Sequence, residues 1–250
     1  IGEDKPLFAD ADKGQDIEDP YNQQFYTSSL VKPIVYLAAM RKIESDKRAV
    51  SNDEMSPEDA LDYDSVLTIS QRAKSLSSHR SFENEMSVRE ALPLLLSFSM
   101  NDIAHAFAER VANGKTVPSD ISVKDSKDLE QKFVLDHMRP LVRELGMDNT
   151  FIVNSTGLPT YSNKRRAIPT WHNNVSTPRD MVTLFNHISD HYPEYIDLSS
   201  VAEVKMPNRV KPFKNSNPLL ESSTRNNGRA QSIPVDGVEG GKTGLSAVSL

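Results

Sequence analysis

Residues that could act on an acyl group occur in three short strings: Ser29-Leu-Val-Lys32, Ser99-Met-Asn101 and Lys242-Thr-Gly244. A serine hydroxyl is a weak nucleophile and needs a neighbouring base. Residues three apart at the start of a helix lie on one face, so Lys32 could reach Ser29. The neighbours are apolar, and burial lowers the pKa of a lysine, which would supply a neutral amine as the base. Taken alone, the pair is better explained as a capping serine beside a lysine with a solvent-exposed head.

The second and third strings could bind a substrate. Ser99 could relay a proton and Asn101 could hold a substrate amide, although both residue types also favour helix caps and turns. Lys242 and Thr243 offer a cation and a hydroxyl to a carboxylate, and Gly244 allows close backbone approach. An ordinary turn is the alternative for this string. In this order the strings resemble the S-x-x-K, S-D-N and K-T-G signature of serine penicillin-binding enzymes and class A β-lactamases. The second string departs from it at its middle residue, which is Met100.

Composition narrows the function classes. A chain of 250 residues can bury a sizeable core as one domain or two lobes. The net charge of -6 argues against a nucleic-acid surface. The sequence has no apolar run of membrane-spanning length, which leaves membrane attachment open. It has no cysteine, hence no disulfide and no Cys-type zinc site. It also lacks H-E-x-x-H and G-x-S-x-G motifs, so neither a zincin nor a Ser-His-Asp hydrolase is indicated, and no metal or other cofactor is expected.

The elements around the first two strings can be predicted. The apolar run 30–40, with a proline tolerated in the first turn, predicts a buried helix that begins at or just after Ser29. Ser87 and Glu90 form a capping-box pattern that opens a helix through residue 96. The periodicity breaks over 97–102 and resumes over 103–111, before an Asn-Gly stop at 113–114. Ser99 is therefore expected in a loop between two helices.

Elsewhere the pattern is mostly helical. We predict a helix start at Ser56–Asp59, an amphipathic helix over 125–145 that ends at Gly146, and a helix from Thr177 to about His191. Residues 203–236 are predicted to be loop or short strand, and 241–250 a strand. Trp171 and the basic run 164–166 are expected on a solvated loop.

Four longer segments narrow the assignment. They are Glu144-Leu-Gly-Met-Asp-Asn-Thr150, Asn154-Ser-Thr-Gly-Leu158, Val175-Ser-Thr-Pro-Arg-Asp-Met181, and Phe213-Lys-Asn-Ser-Asn217 followed by Leu219-Leu220. They are similar to the "LGM-x-NT … PTGL", "STARDM" and "F-x-NTN-x-L" segments of the D-alanyl-D-alanine carboxypeptidase and endopeptidase family. These proteins are the low-molecular-mass penicillin-binding proteins. The resemblance runs from about Tyr26 to Leu245, and the endopeptidase branch is slightly nearer than the carboxypeptidase branch.

The resemblance implies an α+β fold of the β-lactamase/transpeptidase type. An antiparallel sheet flanked by helices would be formed from both ends of a single 1–250 domain, beside an all-helical lobe over roughly 45–200. The active site would lie between the two. The family normally continues into further strands after K-T-G, so we expect the sheet to lack terminal strands and the domain to be truncated at its C-terminus.

The resemblance also implies roles for the candidate residues. Ser29 would be acylated by the penultimate D-alanine carbonyl of a peptidoglycan stem peptide, with Lys32 as the general base. Ser99 and Asn101 would assist proton transfer and substrate binding, and Lys242, Thr243 and Gly244 would bind the substrate carboxylate. The backbone N–H groups of Ser29 and Leu245 would form the oxyanion hole. β-Lactams would acylate Ser29, and the protein would act in the periplasm or extracytoplasmic cell envelope.

Two alternatives compete with this interpretation. A class A β-lactamase needs a glutamate-activated water, and no E-x-x-x-N string occurs between Asn113 and Lys242. The string from Glu109 to Asn113 has the spacing but belongs to the helix after Ser99. A catalytically silent module that binds cell-wall peptides or penicillins is disfavoured because Ser29 and its lysine are intact. Carboxypeptidase and endopeptidase activity are not distinguished.

Overall fold

The computed structural model describes residues 19–77, 84–159, 173–205, 212–220 and 238–244. The helices in these ranges are α1 (Lys32–Ser51), α2 (Gln71–Ser75), α3 (Val88–Leu96), α4 (Asn101–Asn113), α5 (Val123–Phe133), α6 (Arg139–Glu144), α7 (Pro178–His191) and α8 (Glu194–Ser200). The strands are β1 (Phe25–Tyr26), β2 (Val66–Thr68), β3 (Glu85–Ser87), β4 (Val175–Ser176), β5 (Glu203–Val204) and β6 (Phe213–Lys214). None of these helices has the length and the apolar run that crossing a bilayer requires.

The strands form three antiparallel pairs in the described ranges, β1 with β4, β2 with β3, and β5 with β6. Phe25 pairs with Ser176 in the first of them, and Phe151 extends it through a single bridge to Val175. The first pair therefore joins the start of the described chain to its middle. Helices together with antiparallel strands confirm the α+β class.

Helix α1 is the centre of the core. A 3₁₀ turn over Ser28–Val31 leads into it, and Pro33 stands in the first helical turn as predicted. Its side chains from Lys32 to Met40 are all buried, and α3, α4, α6 and α7 pack around it. A helix buried on every side must be apolar all round. This explains why its first half lacks a polar face.

The prediction of a helix start at Ser56–Asp59 is wrong. Helix α1 continues to Ser51, and residues 57–59 form a turn. The buried carboxylate of Asp46 accepts a hydrogen bond from the Leu61 backbone N–H at 2.9 Å. This hydrogen bond holds the end of the segment against α1 in a loop conformation. The local Ser-Pro-Glu-Asp pattern therefore does not open a helix.

The helices around the second string are confirmed. Ser87 and Glu90 form the reciprocal capping box at the start of α3. Helix α4 begins at Asn101, two residues before the predicted apolar run, and ends at Asn113, where Gly114 with a φ of 76° caps it. A left-handed glycine is the common way to end a helix. The loop between the two helices holds Ser99, as expected.

The predicted helix over 125–145 exists but is interrupted. A π-helical turn over Val134–Met138 separates α5 from α6. Pro140 lies in the first turn of α6, and a proline lacks the N–H and crowds the carbonyl four residues earlier. A wider turn just before it relieves that crowding. Gly146, with a φ of 69°, follows as the predicted stop.

The remaining secondary-structure predictions fall partly within the described residues. Thr177 caps α7, which ends at His191 as predicted. Short strands occur within 203–236, where residues 206–211 and 221–237 lie outside the described ranges. No strand occurs over 241–244, and the rest of that predicted strand is not described. Trp171 and the run 164–166 also lie outside the described residues.

Candidate active site

The first residue of α1 anchors the site. The Lys32 side chain is fully buried, and its Nζ makes three hydrogen-bond contacts. Nζ lies 2.9 Å from Ser29 Oγ, 2.8 Å from Asn101 Oδ1 and 2.8 Å from the backbone carbonyl oxygen of Thr156. The structure thus brings together residues from the first and second strings that are far apart in sequence.

The partners of Lys32 differ in what they can do. The Asn101 amide oxygen and the Thr156 carbonyl can only accept hydrogen bonds, whereas the Ser29 hydroxyl can donate or accept. Asn101 is oriented this way because its Nδ2 donates to the Leu76 carbonyl at 3.5 Å. A neutral amine here would donate to the two acceptors and direct its lone pair at the Ser29 hydroxyl. That is the geometry of a base that removes the serine proton.

Electrostatics favour the neutral amine. Burial is the largest cause that holds the pKa of Lys32 well below its ordinary value, and the positive charge of Lys242 lowers it further. The negative charge of Asp102 acts in the opposite direction. Burial also lowers the pKa of Lys242 to about 7. A substrate carboxylate beside Lys242 would favour its charged form again.

The third string lies against the turn that carries Ser29. A Cβ added to Gly244 would stand 3.1 Å from Leu30 Cγ and 3.1 Å from the Thr27 carbonyl oxygen. The Lys242 ammonium donates to the Thr243 carbonyl. The Thr243 hydroxyl lies 3.1 Å from the Ser216 hydroxyl. All three strings therefore meet around the N-terminus of α1.

Two serines beside the site have unusual backbone conformations. Ser28 has a φ of 47° and Ser99 a φ of 59°; Asp53 is the only other described residue besides glycine with a positive φ. Such conformations are strained for a residue with a Cβ and tend to occur at functional sites. The Ser99 hydroxyl has no hydrogen-bond partner among the described residues, so it makes no hydrogen bond to Lys32 there. The neighbouring Met100 side chain is packed in the core.

Nothing in the sequence signals a role for Thr156, whose segment stands out only by its resemblance to the family. Asn154 Oδ1 accepts hydrogen bonds from the backbone N–H groups of Thr156 at 3.2 Å and Gly157 at 2.7 Å. This turn aims the Thr156 carbonyl at Lys32. An Asn followed three residues later by Gly is a turn signal, but it does not disclose the turn's tertiary partner.

Gly157 lets that turn approach the Ser29 segment. A Cβ built on Gly157 would stand 1.8 Å from the Ser28 carbonyl oxygen, and the residue has a φ of 77°. We expect Gly157→Ala to destabilise the fold by about 3 kcal/mol because strain and overpacking add. In a protein of this size this is a fall in Tm of about 6–12 °C, measurable by thermal denaturation.

Gly146→Ala is the matched control for this prediction. Gly146 has a φ of 69°, and a Cβ added there meets nothing within 4 Å. Only the backbone strain remains, at about 1 kcal/mol. Equal losses of Tm in the two variants would contradict the close approach of Gly157 to Ser28.

Three further features bear on the predicted site: the oxyanion hole, metal binding and a possible deacylating glutamate. Leu245 lies outside the described residues, so the second oxyanion donor is not located. In the described ranges, no group of three or more His, Asp and Glu side chains is arranged to hold a metal ion. Glu109, which has the E-x-x-x-N spacing, is fully buried and accepts hydrogen bonds from Ser70 and Ser126. It does not face the site as a deacylating base would.

Comparison with known proteins identifies the family of the chain. The sequence profile of a family described as D-alanyl-D-alanine carboxypeptidase matches residues 48–247. The first string precedes the matched stretch, while the second and third lie within it. No curated protein matches the chain in sequence.

Several solved structures share the fold. A peptidoglycan synthesis regulatory factor (PBP3) from Streptococcus pneumoniae is 18% identical with a TM-score of 0.66, covering 92% of this chain and 54% of that one. The Streptomyces K15 DD-transpeptidase is 18% identical with a TM-score of 0.61, covering 91% and 73%. Penicillin-binding protein D2 from Listeria monocytogenes, in its cefotaxime-bound form, is 20% identical with a TM-score of 0.56, covering 92% and 73%. The chain spans about half the length of the Streptococcus pneumoniae protein.

Proposed function

Because the chain belongs to the D-alanyl-D-alanine carboxypeptidase family, we propose that it is a serine D,D-peptidase of the bacterial cell envelope. Its substrates are peptidoglycan stem peptides that end in D-Ala-D-Ala, or crosslinks formed through D-alanine. The observation that carries the proposal is the contact of Lys32 Nζ with Ser29 Oγ at 2.9 Å. A buried amine whose other contacts are two acceptors is suited to take the hydroxyl proton.

The acylation step follows from that contact. Neutral Lys32 takes the proton of Ser29 as Oγ attacks the carbonyl carbon of the penultimate D-alanine. The tetrahedral oxyanion is stabilised by the backbone N–H groups of Ser29 and Leu245. The C–N bond then breaks, and the leaving D-alanine amine receives the proton that Lys32 took from Ser29. The product is an ester on Ser29.

Substrate binding and deacylation use the other strings. The peptide is bound by the Asn101 amide, the Thr243 hydroxyl and the Lys242 ammonium. Its terminal carboxylate lies next to Lys242. Gly244 allows the backbone of this segment to approach closely. A water molecule attacks the ester carbonyl carbon, and Lys32 takes the water proton. The bond to Ser29 Oγ then breaks, Lys32 returns that proton to Oγ, and the shortened peptide leaves with a new carboxyl group. A β-lactam follows the same first step but retains its leaving group, so its adduct persists.

Mass spectrometry of stem-peptide products tests the proposal. We expect a pentapeptide ending in D-Ala-D-Ala to lose one D-alanine, or a crosslinked peptide dimer to be cleaved at its D-alanine bond. The first product identifies a carboxypeptidase and the second an endopeptidase. Prior incubation with penicillin should abolish either product. Rapid turnover of penicillin itself would favour a β-lactamase, and intact peptides with no penicillin adduct would favour a silent binding module.

A further inference from the structure

A buried charged cluster lies behind the site. His105, Glu109 and Ser126 have no exposed surface, and Glu130 of α5 is nearly buried beside them. His105 Nδ1 is 3.3 Å from Glu130 Oε2, and His105 Nε2 is 2.8 Å from Ser126 Oγ and 3.4 Å from Glu109 Oε1. The proposed chemistry uses none of these side chains, and charged groups are rarely buried without a role or a partner.

The contacts of the imidazole favour its protonated form: Nε2 makes a hydrogen bond, and Nδ1, which is buried without a regular hydrogen bond, lies beside a carboxylate. The Ser126 hydroxyl donates to Glu109 Oε1 at 2.5 Å, so toward His105 it can only accept. His105 must therefore donate from Nε2. Its Nδ1 faces the Glu130 carboxylate, which also accepts from the N–H and hydroxyl of Ser155 at 3.0 and 2.6 Å. With Nε2 donating, a proton on Nδ1 makes the ring a cation, which the negative charge of Glu130 at 3.3 Å favours.

The charges around His105 also favour its protonated ring. The groups that act on the imidazole are Glu109 on its own helix and Glu130 on α5. Burial by itself lowers the pKa of His105, but hydrogen bonds and charge from the two glutamates outweigh it and raise the pKa to about 9. Burial raises the pKa of Glu130, whereas His105 and Ser155 lower it to about 2.

The cluster reaches the site through its partners. Ser155, held by Glu130, directly precedes Thr156, whose carbonyl accepts from Lys32. His105 is four residues after Asn101 on α4, so the two share a face of that helix. The Ser70 hydroxyl, the N-cap of α2, donates to Glu109 at 2.8 Å. The cluster thus contacts both the turn that carries the Thr156 carbonyl and helix α4, which carries Asn101. These are the two acceptors of Lys32 Nζ.

We propose that Glu130 and His105 are positioning residues that hold the Thr156 carbonyl and Asn101 against Lys32, and so set the acylation rate. The inference rests on the proposed function for its kinetic test. Loss of the Glu130 charge leaves the Ser155–Thr156 turn held more loosely and removes one of the two carboxylates that keep His105 protonated. A shift of about 1 Å in a positioned group can cost about 100-fold in rate.

The test compares Glu130→Gln with the wild type. We expect acylation of Ser29 by a fluorescent penicillin to slow about 10- to 100-fold. The pKa of His105 should fall below about 9, because burial still disfavours the charged ring. The rate ratio of variant to wild type should therefore decrease as pH rises from about 6 to about 9. Nitrogen NMR of the histidine rings measures the pKa directly.

Glu194→Gln is the matched control. Glu194 Oε1 accepts from the Tyr36 hydroxyl at 3.1 Å, so the change also removes a carboxylate that is bonded to a residue of α1. Its acylation rate and the Nζ resonance of Lys32 should remain as in the wild type. The Lys32 resonance should move in Glu130→Gln, which tests the positioning without any reaction.

The outcomes separate the two proposals. A wild type that is not acylated overturns the proposed function, and the Lys32 resonance then still decides the positioning role. The positioning role is overturned if Glu130→Gln is acylated as fast as Glu194→Gln and the ratio of its rate to the wild-type rate does not change with pH. It is also overturned if the Lys32 resonance is the same in Glu130→Gln as in the wild type. A slower rate explained fully by partial unfolding at the assay temperature, measured by circular dichroism, also overturns it.

Discussion

Ser29→Ala is expected to abolish the covalent adduct with penicillin. Intact-protein mass spectrometry should show the wild type gaining the mass of one penicillin and the variant gaining none. The reason is that Ser29 Oγ is the hydroxyl at 2.9 Å from the buried amine of Lys32, and an alanine offers no atom to acylate. Hydrolysis of the stem peptide should be lost with the adduct, because both reactions begin with the same attack.

The neighbouring serine provides the control. Ser28 is 8% exposed, and its hydroxyl has no hydrogen bond to Lys32 in the described structure. Ser28→Ala should therefore retain the adduct. An adduct that persists in Ser29→Ala, or that disappears in Ser28→Ala alone, would move the nucleophile away from Ser29. Circular dichroism of both variants shows whether the fold is retained.

The contact of Ser29 with Lys32 could be predicted from the sequence because its signal is local. Ser29 and Lys32 are three residues apart at a helix start, so helical geometry brings them together. The capping box of Ser87 and Glu90 and the stop at Gly114 likewise depend on neighbours in the chain. Each of these signals marks where a helix begins or ends. The loop that holds Ser99 is predicted because it lies between two predicted helices.

The parts that could not be predicted depend on distant contacts. The Thr156 carbonyl reaches Lys32 from 124 positions along the chain, and no local pattern reports its direction. The Ser56–Asp59 prediction failed for the same reason, since Asp46 fastens that segment to α1. Glu109 and His105 have a helical spacing that is also typical of an exposed pair. Only the packing of α5 shows that they are buried with Glu130.

The α+β class was predictable from the resemblance, whereas the arrangement of the strands was not. Strands of two or three residues carry too little periodicity to be recognised. β1 and β4 pair across about 150 positions, as Phe25 with Ser176. Such pairing is decided by which apolar faces are covered in the folded chain, and a short strand does not state its partner.

Lys32→Met is expected to slow acylation by penicillin about 100- to 10,000-fold, the usual contribution of a positioned general base. Methionine fills much of the same buried space but has no lone pair that can take the Ser29 proton. Lys32→Arg should lose a similar factor, because a guanidinium remains charged at every accessible pH. Stopped-flow measurement of the adduct with a fluorescent penicillin gives each rate.

The two variants distinguish a base from a fixed charge. If Lys32 only stabilised negative charge, arginine would retain most of the rate while methionine would not. The base role also predicts a wild-type rate that rises with pH and levels off well below the ordinary lysine pKa, since burial lowers the pKa of Lys32. The ascending limb should disappear in both variants. Lys47→Met, an exposed change on the same helix, should keep the wild-type rate and profile. Retention of the ascending limb in Lys32→Met would assign the base to another group.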